Sequence, residues 1–182
     1  PGLIDALGPI VGSDERYLHL GVPTQIFLHE DIMGGLLHPN SNRPLTLQMA
    51  YGMAMTVDTP SSAPIMHWMM SVGLLVLIVQ CSQAHFKSWW PGIAAVVVLA
   101  GSASVQIASG MAGSDIPAAF AVLVALDAAL RGQRRSLVMA SGLAISIKYT
   151  TVGPLIGIFF FAPISWKTRW ILGSAAVLMV TP

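Results

Sequence analysis

Residues 137–164 read LVMASGLAISIKYTTVGPLIGIFFFAPI, and the lysine near the middle of this run, Lys148, decides how the chain is laid out. The run is longer than the ~20 residues that one helical crossing of a bilayer requires. A lysine at membrane depth costs ~2.5–3.5 kcal/mol on insertion scales, so it needs a buried partner or an anionic ligand. The flanks favour one of two paths. A single crossing would put Arg131, Arg134 and Arg135 on the opposite side from Lys167 and Arg169. A hairpin of two half-helices turning near Lys148 puts all five on one side, together with Lys87, as the bias of basic residues toward the cytoplasm demands. Non-helical backbone at that depth is tolerated where it is buried in protein or lines a wet cavity, so Lys148 is expected to face such a cavity.

Working outward, the rest of the chain fits an all-α multi-pass membrane protein. It is 54% hydrophobic and 9% charged, with a mean hydropathy of +0.71, outside the range of a soluble domain. Predicted spans cover about 63–81, 92–110 and 116–130; the hairpin covers 137–164, and a further span starts over 170–182. Trp89 and Trp90 fall at interface depth beside Lys87. The small residues of 92–110 favour close helix approach. Residues 1–60 form a large extracytoplasmic loop, with residues 24–37 and 44–57 expected as helices lying near the membrane surface; residues 61–182 form the transmembrane bundle. The chain opens Pro1-Gly2 and ends Thr181-Pro182, and it reads as a portion of a longer multi-pass protein. A net charge of +1 gives no reason to expect a nucleic-acid partner. The single Cys81 can build neither a disulfide framework nor a cysteine metal site.

In this topology the charges sort by side. Seven of the 8 acids (Asp5, Asp14, Glu15, Glu30, Asp31, Asp58, Asp115) lie outside, and six of the 9 bases lie in the cytoplasm. Arg16, Arg43 and Lys148 are the exceptions, and they call for an explanation.

Chemistry concentrates at Asp14-Glu15-Arg16-Tyr17-Leu18-His19. Adjacent carboxylates point in different directions, so one can act as general base or metal ligand while the other orients it. The plainer reading is a helix start, with Ser13 or Asp14 as cap. Ser114-Asp115-Ile116-Pro117 also reads as a helix start, and it lies at the same face as Asp14. Asp115 is therefore either a cap or a second acid of one site, and it is a candidate partner for Lys148. His67, in the first turns of a span, is a packed, hydrogen-bonded histidine or a ligand. His29-Glu30-Asp31 resembles a metal-binding run, but adjacent side chains on a helix diverge.

Taken in order, these residues resemble the GT-C superfamily of membrane glycosyltransferases, of the protein O-mannosyltransferase and aminoarabinose-transferase type. The acidic motif of the first loop matches Asp14-Glu15-Arg16-Tyr17-Leu18-His19-Leu20 with Pro23 following, except that Leu18 separates the family's tyrosine–histidine pair. Pro44 and the stretch from Leu45 to Met55 resemble the loop's surface helix. His67 resembles the histidine early in the next span, Gly113-Ser114-Asp115 the second-loop acid, and Gly142 to Thr150 the element carrying a lysine and tyrosine, here Lys148 and Tyr149.

The resemblance implies inverting transfer of a sugar from a polyprenyl-phosphate donor to an extracytoplasmic acceptor. It implies Asp14, Glu15 and Asp115 as catalytic carboxylates, with Asp14 as general base, and Arg16, Tyr17, His19, His67, Lys148 and Tyr149 as substrate-binding residues. The charge on the leaving lipid phosphate would fall to Lys148, to Arg16, or to a divalent cation (Mg²⁺ or Mn²⁺) held by Asp14 and Asp115. Membrane lipids and other membrane subunits are the further partners expected. Two other classes compete. One is a non-catalytic accessory subunit of a membrane complex that keeps the scaffold and bears a pigment, with His67 as axial ligand. The other is a transporter, in which half-helix hairpins also occur, but the halves show no self-similarity.

Overall fold

The computed structural model describes residues 2–8, 19–24, 46–57 and 61–161, and all regular structure among them is helical. The elements are α1 (Gly2–Leu7), α2 (Thr46–Val57), α3 (Ser62–Phe86), α4 (Trp90–Gly101), α5 (Ala103–Gly110), α6 (Asp115–Leu130), α7 (Arg134–Ile147) and α8 (Val152–Phe161), with a 3₁₀ turn at Tyr149–Thr151. A short helical turn over 21–24 precedes α2.

Helix α3 is long and apolar enough to cross a membrane. Its 25 residues extend ~37 Å at 1.5 Å per residue. It outruns the predicted 63–81 because Ser82–Phe86 holds neither glycine nor proline to break the helix. It stops at Lys87, whose backbone is left-handed at φ 56°.

The apolar stretch 92–110 is not one straight span. It breaks at Ser102, whose extended backbone (φ −75°, ψ 122°) separates α4 from α5, and the two helices are bent by 77°. The carbonyl of Ala100, freed by the break, accepts from Gln106 Nε2 at 2.7 Å. Counted as one broken span, α4 and α5 would make a second membrane-crossing element.

Helix α6 packs along α7 through a small-residue face. Ala118, Ala121, Ala125, Ala128 and Ala129 are all buried, and their size lets the helix axes approach closely. The turn between the two helices uses Gly132 at φ 69°, a conformation that costs glycine little. Helix α7 ends where Lys148 turns extended (φ −153°, ψ 115°). After the 3₁₀ turn, α8 places Ile158 in the cluster of Ala125, Ala128, Ala129, Leu137 and Ala140. The chain after Lys148 thus packs back onto the half of the bundle from which α7 began.

A second cluster gathers Leu20, Leu47, Tyr51, Ala63, Ala112, Ala118, Ala121, Ala144 and Ile147. It joins the ends of α2, α3, α6 and α7 with the loop after α5. The candidate site sits on this cluster. Much of the remaining exterior is apolar: Met69, Val97, Val98, Met139, Phe160 and Phe161 are all exposed.

Candidate functional site

A cleft of about 150 Å³ opens at this end of the bundle, lined by His19, His67, Ala108, Met111, Ala112, Gly113, Ser114, Asp115 and Ile116. Three sequence-predicted residues therefore share one wall system, though they come from three separate parts of the chain. His19 is buried, and Leu20 beside it is anchored in the core cluster. His67 projects from the second turn of α3, and Asp115 is the first residue of α6.

Lys148 joins them through Asp115. Its Nζ donates to Asp115 Oδ1 in an ion pair that ties the start of α6 to the break after α7. The Asp115 side chain is 78% exposed and that of Lys148 32% exposed, so the pair sits at the cleft mouth rather than in the core. The helix-start reading of Ser114-Asp115 holds, since α6 begins there, but no side-chain capping bond forms at Ser114. Asp115 still lies in the first turn, where the helix dipole favours an acid.

His67 is fixed at both ring nitrogens. Its Nε2 lies 2.9 Å from Ala108 O and its Nδ1 lies 2.7 Å from the Tyr51 hydroxyl. A carbonyl only accepts, so the proton between His67 and Ala108 belongs to Nε2. Tyr51 in turn lies 2.8 Å from Gly113 O. Two buried side chains thus hold the segment 108–113, the end of α5 and the turn after it, that leads into Asp115.

Tyr51 is the residue that sequence reasoning misses. Spacing makes it only one member of the α2 apolar stretch, whereas it is fully buried and bonded across to α3 and to the 108–113 loop. The signal that points to it is His67 itself, because a histidine in an apolar span needs a polar partner. Tyr149 is exposed in the 3₁₀ turn and is not among the residues lining the cleft.

Asp14, Glu15, Arg16 and Tyr17, with the expected Asp14–Asp115 cation site, lie outside the described residues, as do 25–37 of the first surface helix and the span expected over 170–182. Among the described residues no group of three or more His, Cys, Asp or Glu side chains comes together as a metal site. Searches against family models, curated proteins and solved structures find no match to this chain.

Proposed function

We propose that the chain is the membrane-embedded part of a glycosyltransferase that moves a sugar from a polyprenyl-phosphate donor to an extracytoplasmic acceptor. The observation that carries this reading is the meeting of His19, His67 and Asp115 in one cleft, with Lys148 paired to Asp115, from four separated positions of the sequence. An exterior of exposed Val, Met and Phe supports the embedding, because apolar surface on that scale is unfavourable in water. The interruption at Lys148, followed by the packing of Ile158 against Leu137 and Ala140, supports the half-helix hairpin.

The chemistry follows from the ion pair. In the transfer, an acceptor oxygen bonds to the anomeric carbon while the bond from that carbon to the donor phosphate breaks. The electron pair leaves with the lipid phosphate, and the acceptor's proton passes to a carboxylate. Lys148 is the cation at the mouth of the cleft and Asp115 is the carboxylate now occupying it. An incoming phosphate competes with Asp115 for the Lys148 ammonium. Its arrival anchors the leaving group and releases Asp115 as a base, with Asp14 as the other base expected from the sequence. Both effects favour the transition state over free substrate.

The test is donor-lipid binding. Polyprenyl phosphate titrated into the reconstituted protein should bind in a Lys148-dependent manner, and sugar transfer from its glycosylated form should be lost in Asp115→Asn. A Lys148→Gln protein that binds the lipid phosphate as the parent does would remove the basis of the reading.

A further inference from the structure

The end of the bundle opposite the cleft carries a different kind of surface. His85 Nε2 lies 2.9 Å from Asp127 Oδ1, which holds the end of α3 against the end of α6. Arg131 Nε lies 2.9 Å and 2.8 Å from the two Asp127 oxygens. Ser82 Oγ accepts from Gly92 N at 2.9 Å and donates to Ser88 O at 2.8 Å, folding the Trp89–Trp90 corner back onto α3. Lys87, Arg131, Arg134 and Arg135 are therefore gathered at one end of the molecule. All four are exposed, as are Phe86, Trp89 and Trp90 beside them.

Asp127 is the acid at this end, and it is already engaged by Arg131 and His85. Among the described residues no carboxylate pairs with Lys87, Arg134 or Arg135. Lys87 Nζ donates to a neutral carbonyl, Ala84 O, at 2.8 Å. The cleft end differs, for there Asp115 and Lys148 cancel each other. We propose that this basic, aromatic-edged end is a docking surface for anionic phospholipid headgroups, with Phe86, Trp89 and Trp90 at the acyl boundary and the three cations without a carboxylate partner, Lys87, Arg134 and Arg135, at phosphate depth. Charge complementarity identifies the occupant. Clustered cations attract anionic lipid by about 1 kcal/mol each near the surface, equivalent to about a fivefold local enrichment per cation. The inference rests on the membrane-embedded half of the proposed function and is independent of sugar transfer.

The experiment uses the full chain with Trp68, Trp166 and Trp170 changed to Phe, which leaves Trp89 and Trp90 as reporters. The protein is reconstituted into phosphatidylcholine vesicles that carry an equal small fraction of either brominated phosphatidylglycerol or brominated phosphatidylcholine. Quenching by the anionic lipid should exceed quenching by the zwitterionic one severalfold. The excess should fall to parity in the Lys87→Gln/Arg134→Gln/Arg135→Gln variant and persist in Lys148→Gln. Equal quenching by both lipids in the parent overturns the proposal, as does an excess that survives the triple change. Loss of the excess on adding inorganic phosphate at matched ionic strength would show a free-phosphate site and also overturn it. Absence of quenching by either lipid would fail the embedding itself, separating that failure from the others.

Discussion

Tyr51 and His67 lie on different helices, 16 positions apart in sequence, and the tyrosine hydroxyl approaches the imidazole Nδ1 to 2.7 Å while also lying 2.8 Å from Gly113 O. The hydroxyl carries one proton for two acceptors when the imidazole is neutral, so the loop and the histidine compete for it. This contact, together with the packing of Leu47 and Tyr51 in the core cluster, ties α2 to the wall of the cleft.

Removing that hydroxyl should therefore be expensive. Tyr51→Phe removes the one proton that His67 Nδ1 and Gly113 O share, at ~1–3 kcal/mol for an unsatisfied buried group. Thermal unfolding of the purified protein should show a clear fall in midpoint. A midpoint equal to the parent's would mean that the two contacts contribute nothing.

The two residues should also act as a unit. His67→Leu removes the bond to Ala108 and the bond to Tyr51 together. In a double-mutant cycle with Tyr51→Phe, the combined loss should fall short of the sum by ~0.5–3 kcal/mol, as for residues sharing one network. Strict additivity would show that they stabilise the fold independently.

Gly92 predicts an asymmetry among the glycines. A Cβ there would stand 2.7 Å from Ser82 Cβ and 2.8 Å from the Val79 Cα. Gly92→Ala must push α4 away from α3 and strain the Ser82 bond, costing ~1–3 kcal/mol as overpacking does. A methyl group added at Gly153 or Gly157 would meet nothing within 4 Å, so alanine should be tolerated at both. Unfolding midpoints of the three variants check this directly.

Some of this organisation is legible in residue order and some is not. The long apolar α3, the α6 start at Asp115 and the interruption at Lys148 each follow from one local signal: an uncharged apolar run, an acid before proline, a charge inside an apolar run. The break at Ser102 is not legible, because Gly101-Ser102-Ala103-Ser104 suits a tightly packed straight helix as well as a bend. Tyr51 is hidden for a related reason. Spacing along α2 assigns it to an apolar face, and only the approach of His67, sixteen residues later on α3, turns it into a hydrogen-bond donor. Helix periodicity reports faces, whereas the partner across a face is set by tertiary packing.

The Asp115–Lys148 pair is the centre of the proposed chemistry, and the most direct measurement is the affinity of the reconstituted protein for polyprenyl phosphate in the two single variants. Lys148→Gln removes a charge-assisted bond to the phosphate and should weaken binding at least about tenfold. Asp115→Asn removes the competitor for the same ammonium and should tighten binding modestly, up to about fivefold for a pair this exposed. Opposite signs are the predicted result. Weaker binding in both variants would contradict it, because Asp115 would then be supporting the phosphate, through a cation or through the fold, and not competing with it.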